Sequence, residues 1–187
     1  MNDRLFMFVA SQTGRWRIVR IDSVKGEPLP SAGRLDILSE SMFQELGQAN
    51  WFLRGIRSNE RYVVREEKDL LAAKQPPLDR PETVCAALIP IRKNAAWWNL
   101  AQDERRKIFE EQSHHIKVGF KYLPAVARRL YHCRDLGENE PFDFLTWFEY
   151  ASCDEAVFDK LVAELRTSPE WTYVDREIDI RLVRDPD

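Results

Sequence analysis

One segment, FDFLTWFEYA at residues 142–151, is apolar on both of the faces that a β-strand would present. A strand with water on one side alternates apolar and polar residues, whereas a strand with protein on both sides does not. The segment therefore predicts the central strand of a sheet whose two faces are both covered.

Strand and helix patterns alternate around this segment in the second half of the chain. Residues 83–93 have the pattern of a buried strand, and residues 103–137 predict a long amphipathic helix, a proline and a second helix that has Pro124 in its first turn. Residues 153–171 predict a helix with an acidic first turn. Residues 173–184 predict a last strand that alternates. Four apolar residues share one face of that strand: Val174, Ile178, Ile180 and Leu182.

The first half contains the same kinds of element in abbreviated form. Two strands are predicted within residues 4–22, and a helix is predicted over residues 34–47. A hairpin of residues 51–58 and 61–64 follows, and then a short helix over residues 65–74. The helix over 34–47 depends on apolar residues at helical spacing: Leu35, Leu38, Met42 and Leu46.

The order strand–helix–strand–strand–helix–strand, found in pieces in both halves, is typical of ferredoxin-like folds. The proline-containing segment 76–81 predicts a linker. The halves are then residues 1–81, which are truncated, and residues 82–187. Antiparallel sheets with helices on one face give an α+β architecture, and two such sheets can close into a barrel.

Charge and composition argue against several kinds of partner. The 28 Lys and Arg residues are interspersed with 31 Asp and Glu residues, and this net charge of −3 does not favour nucleic acid. No apolar run approaches the length of a membrane span. No signal peptide is visible, so we expect a cytoplasmic protein, or a periplasmic one if an export signal was removed. Three cysteines without a CxxC pattern indicate a reducing compartment.

The histidines are concentrated in the long helical segment, which contains His114, His115 and His132. His114 is turned by about 100° away from His115 on a helix, so it mostly meets water. Gly119 lies one turn after His115 and lacks a side chain, so a flat and bulky group could approach the helix there. The residues predicted to share the face of His115 are Ile108, Gln112, Gly119 and Tyr122.

A single inward histidine without a neighbouring ligand fits one axial ligand of a porphyrin. The alternative is an ordinary buried histidine, since a lone histidine on an apolar face is more often a core residue. Hydrolase motifs such as GxSxG and HExxH are absent from the sequence, as is a glycine-rich phosphate loop.

The segment HHIKVGFKYLPAVARRLYH resembles the chlorite dismutase family, in particular its short, dimeric lineage. Four further segments carry the resemblance, which covers nearly the whole chain after about residue 50. They are WFLRGIRSNERYV (51–63), AALIPIRKNAAWWNL (86–100), FDFLTWFEY (142–150) and SPEWTYVDREIDIRL (168–182). The resemblance implies a homodimeric α+β barrel of ferredoxin-like halves that binds haem b and acts on chlorite.

The resemblance also implies site residues. The iron ligand matches His115, and the carboxylate that accepts a hydrogen bond from its imidazole matches Glu170. The arginine on the opposite side of the haem matches Arg128 and not the adjacent Arg129, and a glutamine near it matches Gln75. Three more residues, whose assignments are looser, fall in segments that line or support the haem pocket: Asn59, Tyr62 and Trp97.

In this interpretation chlorite is cleaved at a Cl–O bond, which leaves a ferryl oxygen and a hypochlorite fragment. Arg128 holds that fragment until the two recombine and release O₂ and chloride. The alternatives are a coprohaem decarboxylase, a peroxidase of the same superfamily, and a non-catalytic haem-binding barrel. The decarboxylases carry a neutral residue, commonly glutamine, where Arg128 lies. Without the resemblance, Arg128 would be read as a surface residue, Glu170 as a helix end, and Trp97 as a core or subunit-contact residue.

Overall fold

Antiparallel strands close into a barrel in the computed structural model, which describes residues 4–45, 48–58, 61–137 and 139–185. The order of the strands around the barrel is β1-β3-β2-β8-β5-β7-β6-β4. The strands are β1 Leu5–Ser11, β2 Trp16–Lys25, β3 Arg34–Ser39, β4 Trp51–Arg57, β5 Cys85–Lys93, β6 Ala127–His132, β7 Phe144–Tyr150 and β8 Val174–Arg184.

Most of the helical structure follows β5. The α-helices are α1 Arg65–Lys74, α2 Ala95–Asn99, α3 Gln102–Arg106, α4 His115–Lys121 and α5 Glu155–Arg166. A π-helical turn, Lys107–Gln112, lies between α3 and α4, and 3₁₀ segments include Glu40–Glu45 and Pro169–Tyr173. In the described part of the chain, no helix is long and apolar enough to cross a membrane.

The two halves have the same strand order. Numbered within its own half, the C-terminal order β8-β5-β7-β6 is 4-1-3-2. The N-terminal order β4-β1-β3-β2 is also 4-1-3-2. In the N-terminal half, residues 12–15 join β1 to β2 where the C-terminal half has helices, and Glu40–Glu45 replaces the second helix. The α+β barrel of ferredoxin-like halves with a truncated N-terminal half is therefore confirmed.

The barrel interior is a core to which all eight of these strands contribute. Trp147 of β7 packs edge-on against Trp16 of β2 with ring centroids 5.2 Å apart, and Tyr131 of β6 packs edge-on against Phe8 of β1 at 5.0 Å. Gly55 of β4 allows this packing, because a Cβ there would lie 2.7 Å from the Cβ of Tyr131. Burial of these large aromatic rings stabilises the closed sheet.

The outer face of the C-terminal half is covered by α4 and α5. Along β7, Leu145 and Trp147 point into the barrel while Phe148 packs under the helices, so the predicted central strand is confirmed. Val174 also lies in the outer cluster, because the pairing of β5 with β8 shifts register at Arg92 and Lys93. The prediction that Val174 shares the inner face of Ile178 was wrong. The outer cluster includes Ala87, Ile89, Ile91, Val118, Phe158, Leu161 and Leu165.

The helix predicted over residues 34–47 was wrong. Arg34–Ser39 pairs with β1 along its length, so Leu35 and Ile37 alternate into the barrel. Only the short 3₁₀ segment Glu40–Glu45 is helical. The spacing of the apolar residues fitted a helix, but pairing with β1 and β2 makes the segment a strand.

The prediction that residues 61–64 form the second strand of a hairpin was also wrong. Residues 51–57 form β4 as expected, but the chain then turns away from the sheet, and Tyr62 has a φ of 61°. The left-handed conformation is unusual for an aromatic residue and cannot belong to a strand. The predicted turn at residues 59–60 lies outside the described residues.

The helix predicted after Pro124 is a strand. The peptide bond between Leu123 and Pro124 is cis, and the chain enters β6 at Ala127. β6 pairs with β7 over six residues and with β4 over two. A segment this short has no clear periodicity of its own, so its two neighbours decide its conformation.

The predicted linker at residues 76–81 is attached to the barrel. The Asp79 amide donates to Glu149 of β7 at 2.5 Å, and the Asp79 carboxylate pairs with Arg184 of β8 at 2.9 Å. The division into residues 1–81 and 82–187 stays a prediction.

Candidate active site

A deep cavity lies between the outer face of β5, β7 and β6 and the helices α4 and α5. It contains about 1250 Å³ of space when its open mouth is included. Its walls are mainly apolar and aromatic, with a few polar groups that converge on it, which is the usual composition of a ligand site. The polar and charged residues of the lining are Arg61, Tyr62, Lys93, His115, Arg128, His132, Thr146, Glu170 and Glu177.

His115 lines this cavity from the first turn of α4. Its side chain is 18% exposed, and its Nδ1 lies 2.7 Å from Oε2 of Glu170. The helix breaks at His114, which has a φ of 51° and is exposed. The prediction that His115 faces inward and His114 faces water is confirmed.

The other members of the predicted face change because the helix is not continuous. Phe109, and not Ile108, contacts His115, with ring centroids 4.3 Å apart and planes inclined by 22°. Tyr122 turns away and donates to Glu164 at 2.8 Å. Gly119 does line the cavity, and a Cβ there would meet no atom within 4 Å.

Glu170 is buried behind His115, on the 3₁₀ segment Pro169–Tyr173. Its carboxylate accepts a hydrogen bond from Nζ of Lys93 at 2.8 Å, and its amide donates to Oγ of Ser113 at 2.8 Å. Burial alone would raise the pKa of Glu170, but the charge of Lys93 and the contact with His115 outweigh it and lower the pKa to about 2. Glu170 is therefore a carboxylate at any working pH.

Lys93 is the site residue that sequence reasoning missed. Its side chain is 3% exposed, and its ammonium lies 4.8 Å from the ring centre of Trp97 and 5.5 Å from that of Trp171. Two aromatic faces and a carboxylate compensate for the cost of burying this charge. A charged residue, Lys93, that is buried at the end of a largely apolar strand was the available signal.

An ionised Glu170 decides which nitrogen of His115 carries the proton. The carboxylate can only accept, so Nδ1 donates to it, which leaves Nε2 as the nitrogen that could bind a metal. Among the described residues, Nε2 has no hydrogen-bond partner. The site thus presents Nε2 of His115 as a potential metal ligand, and Glu170 holds the ring from behind.

Arg128 lies in the cavity because β6 is a strand. Its side chains alternate, so Arg128, Leu130 and His132 face the cavity while Tyr131 faces the barrel core. Arg129 does not line the cavity. A helical pattern could not separate the two arginines, but the strand does.

The guanidinium of Arg128 has no carboxylate partner in the part of the chain that the structure describes. Burial lowers its pKa from the ordinary arginine value, although arginine remains protonated in proteins. The side-chain amide of Gln75 donates to the backbone oxygen of Arg128, so Gln75 lies next to it as expected. The cavity therefore contains a cation whose charge is available to a ligand.

Two further predicted residues also line the cavity. The ring of Tyr62 packs edge-on against Trp97 with centroids 5.9 Å apart. The hydroxyl of Tyr62 and the indole N–H of Trp97 are buried, and neither has a hydrogen-bond partner among the described residues. Asn59 lies outside the described residues, so its predicted place at the pocket stays a prediction.

His132 is another cavity residue to which the sequence assigned no role. It is 2% exposed, and neither of its ring nitrogens has a hydrogen-bond partner within the described ranges. Burial and the nearby charge of Arg61 lower its pKa to about 4. His132 is therefore neutral at physiological pH.

Comparison with known proteins identifies the family. The protein-family model described as chlorite dismutase matches residues 35–184 of this chain. The chain belongs to the chlorite dismutase family. The resemblance predicted from the sequence is confirmed.

Other members of the chlorite dismutase family match over different lengths. The crystal structure of a dimeric chlorite dismutase from Nitrobacter winogradskyi is 52% identical, with a TM-score of 0.88, and the match covers 96% of this chain and 99% of that one. A chlorite dismutase from Ideonella dechloratans is 38% identical over 88 residues, which are 47% of this chain and 28% of that protein. In that comparison the chain spans less than a third of the relative's length.

A mutant chlorite dismutase from Candidatus Nitrospira defluvii is 18% identical, with a TM-score of 0.68. That match covers 99% of this chain and 93% of the other. At such low identity the similarity shows the fold alone.

Proposed function

We propose that this protein is a homodimeric chlorite dismutase that uses haem b to convert chlorite to chloride and O₂. The observation that carries the proposal is that one cavity contains both the imidazole of His115, held by Glu170, and the guanidinium of Arg128, which has no carboxylate partner among the described residues. The dimeric relative from Nitrobacter winogradskyi, which matches over almost its whole length, supports both the activity and the assembly.

The residues present fit a haem. The cavity is large, apolar and aromatic, and the open space beside Gly119 admits a flat ring next to α4. Nε2 of His115 would bind the iron, and Tyr62 and Trp97 would support the macrocycle. When bound, the haem supplies a redox-active iron at which the Cl–O bond of chlorite is broken.

On one side of the cavity, which is called the proximal side here, three residues act together: His115, Glu170 and Lys93. The ionised Glu170 keeps the proton on Nδ1, fixes the ring and increases electron donation by Nε2. Lys93 keeps Glu170 ionised in a buried position, because its ammonium lies 2.8 Å away. A strongly donating ligand stabilises the ferric and higher oxidation states that oxygen-atom chemistry requires.

Arg128 acts on the substrate. A guanidinium presents a planar set of donors to an oxyanion, and in a cavity of low polarity its attraction is stronger than in water. It would orient chlorite and then keep the hypochlorite fragment in the cavity until O₂ forms. No proton has to be taken from chlorite, so a general base is not needed on this side.

The same residue disfavours one alternative. Coprohaem decarboxylases that resemble this fold carry a neutral residue where Arg128 lies, and a neutral residue cannot retain an anion. A peroxidase or a haem sensor would share the proximal arrangement, so only activity separates them from a chlorite dismutase.

Oxygen evolution tests the proposal. The haem-loaded protein is expected to release one O₂ for each chlorite consumed, measured with an oxygen electrode. A protein that binds haem but releases no O₂ would be a sensor or a peroxidase. Sedimentation of the haem-loaded protein is expected to give twice the mass of the chain, and a monomer would contradict the assembly.

Two neighbouring histidines provide a matched control. His115→Ala is expected to lose the Soret absorbance of bound haem, because it removes the iron ligand. His114→Ala is expected to keep it, because His114 is exposed. Equal loss in both variants would show that His115 is not the ligand.

A further inference from the structure

The segment that precedes α4 contains an extra residue in its helical turn. Over Lys107–Gln112 the helix is of the π type, and the amide of Ser113 donates to the oxygen of Ile108 five residues earlier at 3.1 Å. Such turns cost stability and are frequently found at functional sites. This one ends at Gln112, three residues before His115.

The π turn determines which ring lies against the imidazole. In a continuous α-helix, Ile108 lies seven residues before His115 and would share its face. The extra residue of the π turn and the left-handed backbone of His114 change which residues share a face with His115. Phe109 therefore lies there in place of Ile108. Its ring stacks on His115 at 4.3 Å with planes inclined by 22°.

The same segment also forms hydrogen bonds to the start of α4 and to Glu170. The carboxylate of Glu110 accepts from the amides of Ile116 at 2.7 Å and Lys117 at 3.4 Å, and so caps the helix that begins with His115. Ser113 accepts the amide of Glu170 at 2.8 Å. The turn that contains Phe109 is thus joined by hydrogen bonds both to the helix of His115 and to Glu170.

Phe109 is supported on its other side as well. The ring of Tyr62 lies 5.7 Å from it, inclined by 46°, and Tyr62 in turn packs against the buried Trp97. The backbone of Tyr62 is held by Arg106, which also forms two hydrogen bonds to Glu67 at 2.7 and 2.6 Å. These contacts leave Phe109 little freedom to rotate away from the imidazole.

A hydrogen bond to Glu170 alone does not fix the plane of an imidazole, because the ring can still turn about the line from Nδ1 to the carboxylate oxygen. We propose that Phe109 is a positioning residue, whose stacked ring sets the plane in which His115 presents Nε2 to the cavity. The bond to Glu170 and the stack against Phe109 then define the ring completely. The consequence for an iron ligand rests on the haem-binding function proposed above.

The first test uses the cofactor-free protein. The ring protons of His115 should resonate upfield of those of His114, because they lie over the face of Phe109. In Phe109→Leu the loss of the aromatic ring moves them downfield, and they are also expected to broaden or split because the imidazole takes more than one orientation, while Phe109→Tyr keeps one sharp set. Phe120→Leu is the matched control, since Phe120 belongs to the same helix as His115 and does not line the cavity. One sharp set of His115 resonances in Phe109→Leu would overturn the proposal.

The second test uses the haem-loaded protein. The ferric wild type and Phe109→Tyr are expected to give one high-spin electron paramagnetic resonance signal, whereas Phe109→Leu gives a broadened or split one and transfers haem to apomyoglobin several-fold faster. Identical spectra and transfer rates for wild type and Phe109→Leu would also overturn the proposal. A wild type that takes up no haem would instead refute the proposed function, and the resonances of the cofactor-free protein would still decide the role of Phe109.

Discussion

At the scale of single residues, adjacent positions of the same type have different environments in this protein. His114 is exposed while His115 lines the cavity, and Arg128 faces the cavity while Arg129 does not. In the first pair a break in a helix makes the difference, and in the second the alternation of a strand does. Each pair therefore offers a substitution whose neighbour is the control.

Arg128→Gln is expected to keep haem but to lower kcat/KM for chlorite by roughly 10²-fold, as when one charged donor is removed from an anion site. Hypochlorite should escape and bleach the haem after fewer turnovers. Oxygen release and trapping of free hypochlorite by a chlorination dye measure the two effects. Arg129→Gln, which has the same change in charge, should behave as the wild type, and equal losses in both would remove the proposed role of Arg128.

His132 predicts a dependence of stability on pH. Its pKa is lowered to about 4 in the folded protein, below the unfolded value near 6.5. Between these values the unfolded chain binds a proton that the folded chain does not, so stability decreases as pH falls from about 6.5 to about 4. The loss is on the order of 3 kcal/mol at most.

Urea denaturation of wild type and His132→Leu at several pH values measures this loss. The variant should lose less stability over that range of pH, because it lacks the group that protonates on unfolding. His114→Asn removes an exposed histidine, keeps a residue type that tolerates the left-handed backbone, and should lose as much stability over this range as the wild type. Parallel curves for wild type and His132→Leu would show that His132 does not resist protonation in the folded state.

At the scale of elements, the sequence predicted the strongly patterned strands and missed the weakly patterned ones. β5, β7 and β8 are buried over long stretches, and α5 has a continuous apolar face, so these elements were found. β3 and β6 have six residues each and no clear alternation, so their conformation depends on the strands beside them. The pairing of His115 with Glu170 was expected from the motifs, and the structure places the two side chains 2.7 Å apart, because motif resemblance, unlike periodicity, does not depend on assigning the right secondary structure.

The closure between β4 and β6 is a weak point of the barrel, because only two residue pairs join these strands. Gly55→Ala would place a Cβ at 2.7 Å from the Cβ of Tyr131, and we expect it to lower the free energy of unfolding by roughly 1–3 kcal/mol. Chemical denaturation measures the change. Gly33→Ala is the control, since its Cβ would meet only the side-chain oxygen of Gln12 at 3.2 Å and a backbone oxygen at 3.8 Å. Equal stabilities of the two variants would show that Tyr131 can shift at little cost.

At the scale of the whole molecule, the two halves share one interior. Phe8 and Trp16 of the N-terminal half lie in the same buried cluster as Leu88 and Trp147 of the C-terminal half. The halves are joined through eight residue pairs between β2 and β8 and two between β4 and β6. Neither half could cover its inner sheet face alone.

We therefore expect the protein to unfold in one cooperative transition. Far-ultraviolet circular dichroism and tryptophan fluorescence should give the same midpoint in urea, because loss of either half exposes the core of the other. Two separate transitions would show that residues 1–81 and 82–187 are independent domains.

The sequence alone determined the fold class and the family, since burial patterns and local motifs are properties of short stretches of the chain. Tertiary structure decided the rest. Which arginine faces the cavity depends on β6 pairing with β7, and which ring lies against His115 depends on a π turn whose register is held by Glu110, Ser113 and Glu170. Lys93 belongs to the site only because folding brings it to Glu170, 77 residues away. Such contacts depend on pairings between distant segments, and no local pattern in the sequence records them.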